Sequence, residues 1–166
     1  MCPQCVVVTD TNVLINLIHV EALGLLGSLP GFEFVVVDDV VQEITRPEQT
    51  HALSVAMNRG WIRRVSLDKP EGIALFAELV RVVDRGEAAS LAWAVVENAV
   101  IACDEKRGFR REAQARVGEA RMLTTPGIFV LAIRLKLLTV VEADRMKAVL
   151  ESKRFKMAFA SFSEVT

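Results

Sequence analysis

Four acidic residues stand beside apolar segments of this chain, and together they could bind a divalent cation. They are Asp10 after CVVVT, Glu43 in DDVVQEI, Glu87 in DRGEAASLAWA and Asp104 after AVIAC. Carboxylates that converge repel one another unless a cation lies between them or their pKa values rise. The set contains neither His nor Cys, so it favours Mg²⁺ or Mn²⁺ over Zn²⁺. Such an ion can activate a water molecule and stabilise charge on a phosphoryl oxygen.

Some of these acids also have an ordinary structural explanation. An acid in the first turn of a helix is stabilised by the helix dipole, which could account for Glu87 and contribute to Glu43. Asp10 is harder to explain in this way, because the polar residues 9–12 follow an apolar strand directly and open an apolar helix. A helix cap needs only one of them.

The elements that would position the acids alternate between short β-branched stretches and longer segments with helical spacing. Strands are predicted at 5–9, 34–37, 61–65, 99–103 and 121–124. Helices are predicted at about 12–18, 20–28, 39–45, 49–59, 71–82, 86–97, 107–117, 126–136 and 142–152. Asp39 is placed to cap the helix that carries Glu43, and Pro126 suits the first turn of a helix. The alternation predicts an α/β fold with a parallel sheet covered on both faces.

This arrangement would bring the acids to one edge of the sheet. Asp10 and Asp104 each follow a predicted strand, and open α/β sheets bind their ligands at the carboxyl ends of the strands. Glu43 and Glu87 lie in helices that leave the same edge if the connections are right-handed. Asp104 is followed by Glu105, so either residue could be the ligand, although Asp104 is closer to the strand end.

Length and composition predict one globular domain. The chain has 166 residues, of which 52% are hydrophobic and 25% charged. This is enough to form a hydrophobic core that needs no disulfide or metal to stabilise it. We expect residues 1–139 to form its main part and residues 140–166 a helical appendage.

No stretch provides the roughly 18 apolar residues of a membrane span, and MCPQC lacks the features of a secretory signal. Three cysteines make no disulfide framework, and the expected location is the cytoplasm.

The segment 104–121 is basic although the whole chain has a net charge of −1. It holds six basic and four acidic residues, a local charge of +2. Such a patch could contact a phosphate backbone, or it could be a solvated helix face with pairs such as Glu112–Arg116. Its candidate substrate-binding residues are Lys106, Arg107, Arg110 and Arg111.

The ordered set of motifs resembles a known family. TDTNVLINL, DDVVQEI, DRGEAASLAWA, CDEKRGFRREA and TTPGIFVLAIRLKLL are similar to segments of the PIN-domain ribonucleases, and within them to VapC-type toxins of VapBC toxin–antitoxin pairs. The resemblance covers residues 5 to about 139. It implies a three-layer α/β/α domain with a central five-stranded parallel sheet of order 3-2-1-4-5.

The resemblance also implies roles for individual residues. Asp10, Glu43, Glu87 and Asp104 would be the catalytic, metal-binding acids, and the cofactor would be Mg²⁺ or Mn²⁺. Asn12 would hold Asp10 and a nearby water, and it is also a candidate substrate-binding residue.

A hydroxyl position of the family falls at Thr124 and Thr125. We take Thr125 as a further candidate contact near the metal, and the alternative is a plain cap of the following helix.

The resulting hypothesis is a metal-dependent endoribonuclease that leaves a 5′-phosphate. The resemblance to toxins implies a small antitoxin protein as partner, and the apolar excess in helices 12–28 and 49–59 suggests a homodimer. The main alternative is a catalytically inactive PIN-like module that binds protein or RNA. A phosphatase of the haloacid-dehalogenase type is a weaker alternative, since it needs a second acid at Asn12.

Overall fold

The central element of the fold is an all-parallel sheet. The computed structural model describes residues 4–104 and 107–166. Its strands are β1 (Cys5–Thr9), β2 (Phe32–Val37), β3 (Arg63–Val65), β4 (Val100–Ala102) and β5 (Met122–Leu123). They pair in the order β3-β2-β1-β4-β5, which confirms the predicted α/β class and strand order.

Helices follow the strands through the described chain. They are α1 (Thr11–His19), α2 (Gly24–Ser28), α3 (Asp38–Glu43), α4 (Pro47–Asn58), α5 (Pro70–Leu79), α6 (Arg85–Val96), α7 (Arg107–Val117), α8 (Thr125–Arg134) and α9 (Val140–Ser152). Short 3₁₀ turns span Glu119–Arg121 and Phe162–Glu164. None of the helices in these ranges has the length and apolarity that a membrane crossing would need.

The observed boundaries correct two predictions. The helix predicted at 20–28 begins at Gly24, because Glu21 has a φ of 54° and interrupts the helical path after α1. Asp39 does not cap α3, which begins at Asp38. Its carboxylate instead accepts a 2.6 Å hydrogen bond from Arg85 Nε. Pro126, in contrast, lies in the first turn of α8 as predicted.

Both faces of the sheet are covered. Three successive residues of β2, Val35, Val36 and Val37, are fully buried although their side chains alternate between the faces. Helix α6 packs on β1, β2 and β4 and is buried around most of its circumference, from Gly86 to Ala94. On the other side, α1 contacts α4, α8 and α9. These layers hold the carboxyl edge of the sheet in place.

The chain after α8 folds back onto the domain. Asp144 in α9 accepts hydrogen bonds from Ser161 Oγ at 2.7 Å and from the Phe162 amide at 2.8 Å. These two bonds, the amide bond first, hold the pKa of the Asp144 carboxyl below its usual value. The Phe162 ring is fully buried and packs edge-on against Phe129 and Phe159, at centroid distances of 5.8 and 4.9 Å. The tail is therefore anchored at its far end.

Candidate active site at the carboxyl edge of the sheet

Asp10 lies at the junction of the two central strands. It directly follows β1, and its amide donates a 2.9 Å hydrogen bond to the carbonyl of Ala102 at the end of β4. Beside it, Thr9 Oγ1 donates to the carbonyl of Val35 in β2 at 2.9 Å. Asp10 is only 1% exposed and occupies the N-cap position of α1. Backbone and burial thus fix this carboxylate at the switch point of the sheet, the expected ligand site of such folds.

Asp104 is held in place by donors from two helices. Its Oδ2 accepts a 2.9 Å hydrogen bond from Asn16 Nδ2 of α1, and its Oδ1 accepts a 2.7 Å bond from the Thr125 amide of α8. The Thr125 hydroxyl also donates to Oδ2. These three hydrogen bonds orient the Asp104 side chain in the gap between α1 and α8.

The two threonines that begin α8 have different roles. Thr124 is the N-cap residue, and its Oγ1 accepts a 3.1 Å hydrogen bond from the Gly127 amide. Thr125, the candidate substrate contact, is fully buried and bonds Asp104. The structure thus makes Thr125 a buried hydrogen-bond donor that positions Asp104. Glu105, the alternative ligand, and Lys106 lie outside the described residues.

Glu43 connects the starts of two helices next to Asp10. Its Oε2 accepts a 2.6 Å hydrogen bond from Thr11 Oγ1, and its Oε1 accepts a 2.7 Å bond from the Gly86 amide. Thr11 is the first residue of α1 and follows Asp10. Glu43 therefore ties α3 to both α1 and α6 at the edge of the sheet, and its side chain is exposed to solvent there.

Glu87 belongs to the start of α6. Its Oε2 accepts a 3.1 Å hydrogen bond from the amide of Asp84, the N-cap residue, and the two residues form a capping box. The ordinary explanation for an acid at this position therefore holds for Glu87. Among residues 4–104 and 107–166, no three or more His, Cys, Asp or Glu residues lie close enough together to hold a metal ion.

The donor chemistry nevertheless fits an oxygen-preferring ion. Mg²⁺ keeps several waters and is bound through one or two carboxylates together with substrate phosphates. Asp10 and Asp104 supply two carboxylates at the ends of neighbouring strands, and the described acids at this edge provide oxygen ligands alone. Asp10 and Asp104 are thus the residues that would hold such an ion.

Asp104 borders two clefts that sequence reasoning did not connect with the site. One, of about 370 Å³, is also lined by Asn12, Asn16 and Lys153. The other, of about 210 Å³, is also lined by Arg110, Thr124 and Lys156. Asn16 could have been found from the sequence, because it lies four residues after Asn12 and so shares its helix face. The lysines follow α9, far from the motifs in the chain.

The basic residues of α7 are placed unequally. Arg107 and Arg111 are exposed, and Arg110 lines the smaller cleft and pairs with Glu119 at 2.6 Å. Arg116 pairs with Glu112 at 3.4 Å, as the solvated-face explanation predicts. Of these residues, Arg110 is the one that borders a cleft with Asp104.

Replacing Gly86 with alanine is expected to destabilise the protein by about 0.5–1.5 kcal/mol, the usual contribution of one hydrogen bond, because the Glu43 carboxylate loses its bond to the Gly86 amide. A Cβ atom at Gly86 would lie 2.7 Å from the Glu43 carboxyl carbon, so the carboxylate would have to leave the start of α6. Urea denaturation of both proteins measures the change.

Gly108→Ala is the matched control. Gly108, like Gly86, is the second residue of a helix, but apart from its chain neighbours and its own helix backbone, none of the described residues comes within 4 Å of its added Cβ. We expect Gly108→Ala to be neutral or slightly stabilising, because alanine favours the helix. Equal stabilities of the two variants would contradict the role assigned to Gly86.

The fold is a doubly wound α/β domain with two acids, Asp10 and Asp104, at its switch point. A family model described as PIN domain matches residues 6–161, and the chain belongs to that family. The match includes α9 and most of the tail. A PIN domain is a nuclease-type fold. No curated protein and no solved structure matches the chain.

Proposed function

We propose that the protein is a metal-dependent endoribonuclease that hydrolyses phosphodiester bonds of RNA. The observation that carries this proposal is the placement of Asp10 and Asp104. They lie at the ends of the adjacent strands β1 and β4, and Asp104 is held by Asn16 and Thr125. A PIN-like module without catalysis would not need a carboxylate oriented by three hydrogen bonds beside an open cleft.

We assign a separate role to each residue of the site. Asp10 and Asp104 would hold Mg²⁺ or Mn²⁺, which, when bound, lowers the pKa of a water molecule and stabilises charge on the phosphoryl group. Asn16 and Thr125 keep the Asp104 oxygens in position. Asn12 is exposed at the larger cleft, where its amide can orient a water or a phosphate oxygen.

The hydrolysis itself is a displacement at phosphorus. The water oxygen forms a bond to phosphorus as the bond from phosphorus to the 3′ oxygen breaks. The water gives up one proton and the 3′ oxygen takes up one, leaving a 5′-phosphate and a 3′-hydroxyl. Glu43 is the last residue of α3 and Glu87 lies in the first turn of α6, at this edge of the sheet. We assign them to support of the metal site, as further ligands through water or as acceptors for the proton that the attacking water releases.

The experiment is an RNA cleavage assay of the purified protein with Mg²⁺, with Mn²⁺ and with EDTA, beside a calorimetric titration with Mn²⁺. We expect cleavage with either metal, none in EDTA, and heat of Mn²⁺ binding. Equal cleavage in EDTA would contradict the metal mechanism. An absence of both Mn²⁺ binding and cleavage would favour the alternative, an inactive binding module.

The biological role that we propose is that of a cytoplasmic toxin held inactive by a small antitoxin, in a homodimer. Its support is the resemblance of the motifs to VapC-type toxins, together with an apolar cleft of about 280 Å³ between α1 and α4. Ile18 and Val55 line this cleft from the two helical regions expected to form protein contacts, and Trp61 completes the lining. Co-purification with the product of the neighbouring reading frame tests the pairing, and a gene without such a neighbour would contradict it.

A further inference from the structure

The chain after α9 passes the acidic edge of the sheet. Residues 153–156, Lys-Arg-Phe-Lys, form the segment that we call the C-terminal lip. Lys153 and Arg154 line the larger cleft beside Asp104, and Lys156 lines the smaller one. Phe155 lines both clefts. The lip therefore spans the position of Asp104 with positive charge on either side.

The conformation of the lip is fixed by its backbone. The Lys153 amide donates to the carbonyl of Leu150 at 3.0 Å, and the Phe155 amide donates to the same carbonyl at 3.0 Å. Between them Arg154 has a φ of 69°, which turns the chain out of α9 and across the clefts. At the other end, Phe162 and Asp144 anchor the tail to the body of the domain.

The charged residues of the lip line the two clefts beside Asp104. Lys153, Arg154 and Lys156 are exposed, while Phe155 is half-buried against the core. Burial lowers the pKa of His19 in α1, and the nearby charge of Lys153 lowers it further, followed by that of Arg46. Lys153 and His19 both line the larger cleft.

A nuclease site built from carboxylates repels the phosphates of its own substrate. Cations that flank the site offset this repulsion and guide the backbone to it. Single-stranded nucleic acid is usually bound by a basic groove combined with an aromatic ring on which a base stacks. Lys153, Phe155 and Lys156 supply this combination beside Asp104, and an acidic protein segment would not need the ring.

We propose that the C-terminal lip is an RNA-binding element, in which Lys153 and Lys156 contact phosphates on the two sides of Asp104 and Phe155 stacks a base. The inference rests on the proposed ribonuclease function, because it names the surface that holds the substrate of that site. Arg154 adds positive charge at the larger cleft.

The test compares Lys153→Gln combined with Lys156→Gln against the wild-type chain. Binding of a mixed-sequence single-stranded RNA oligonucleotide is measured by fluorescence anisotropy in EDTA over a range of salt concentrations. Each phosphate contact to a single strand contributes about 0.7 to the slope of log affinity against log salt. We expect the slope to fall by roughly 1.4 and the affinity at about 0.1 M salt to fall roughly 10- to 30-fold.

Arg134→Gln combined with Lys136→Gln is the charge-matched control. Arg134 is the last residue of α8 and Lys136 follows it, so both lie about 15 Å along the helix direction from Thr125. This pair should leave the salt slope as in the wild type. Phe155→Leu keeps an apolar side chain and all charges, and it should lower affinity about 10-fold without changing the slope.

An unchanged slope in the lip variant, or an equal change in the control, overturns the inference and makes an acidic protein segment the alternative occupant. Thermal melting of each variant verifies that it is folded. Because binding is measured in EDTA, the two proposals fail separately. If the lip variant loses RNA affinity but the wild type does not cleave RNA in Mn²⁺, only the proposed ribonuclease function is contradicted. If the wild type cleaves RNA but the lip variant binds RNA as tightly as the wild type, only the proposed role of the lip is contradicted.

Discussion

Replacing Asp10 with asparagine is expected to lower RNA cleavage in Mg²⁺ or Mn²⁺ by at least about a thousandfold. This corresponds to roughly 4 kcal/mol of transition-state stabilisation, the size of effect seen when a central electrostatic group of an active site is removed. Asparagine keeps the shape of the side chain and removes one of the two carboxylates at the junction of β1 and β4. The comparison is made by initial rates at matched protein concentration, beside Mn²⁺ titration of the variant.

The same substitution should leave the fold intact. The substitution removes one of two like charges at this edge of the sheet, which relieves their repulsion, so the metal-free variant should melt at or above the wild-type temperature. Asp104→Asn is the companion variant, and we expect a similar loss of cleavage. Full activity of Asp10→Asn would contradict the metal mechanism. A loss of activity that accompanies unfolding would instead show a structural role for Asp10.

The sequence was sufficient for the architecture because the strands are apolar on both faces. Continuous runs such as FVVV are found in sheets buried by two layers of helices, and β2 is buried in this way. Boundaries were less predictable, since single backbone conformations decide them. Glu21 at a positive φ delays the start of α2 by four residues, and no residue type there signals this change. The turn at Gly60 was recognisable, but the strand after it starts two residues later than predicted.

The site was predictable in its strand-end acids but not in its supporting contacts. Asp10 and Asp104 follow apolar strands, and local pattern is enough to place them. The partners of Asp104 come from residues 88 and 21 positions away in the chain, and only the folded structure brings Asn16 and Thr125 to it. For Glu43, the sequence indicated a first-turn acid, whereas the structure shows a bridge to Thr11 and Gly86.

The C-terminal tail was expected to be an appendage, and its sequence gives no sign that it returns to the acidic edge. What brings it there is the packing of Phe162 against Phe129 and Phe159, together with the bond from the Phe162 amide to Asp144. The position of the lip therefore depends on an aromatic contact made several residues further along the chain.

Replacing Phe162 with alanine is accordingly expected to destabilise the protein by about 3–5 kcal/mol, because it empties a fully buried site that two other rings enclose. Urea denaturation measures the loss. RNA affinity, measured under conditions in which the variant remains folded, should fall as it does for the variant of the lip lysines, because the far end of the lip loses its anchor.

Phe159→Ala is the control for ring contacts alone. Phe159 is only half-buried, so this substitution should lower the stability of the protein by less than Phe162→Ala does. A Phe162→Ala variant as stable as the wild type would show that the tail does not depend on this ring, and normal RNA affinity in a destabilised variant would show that the lip keeps its place without the anchor.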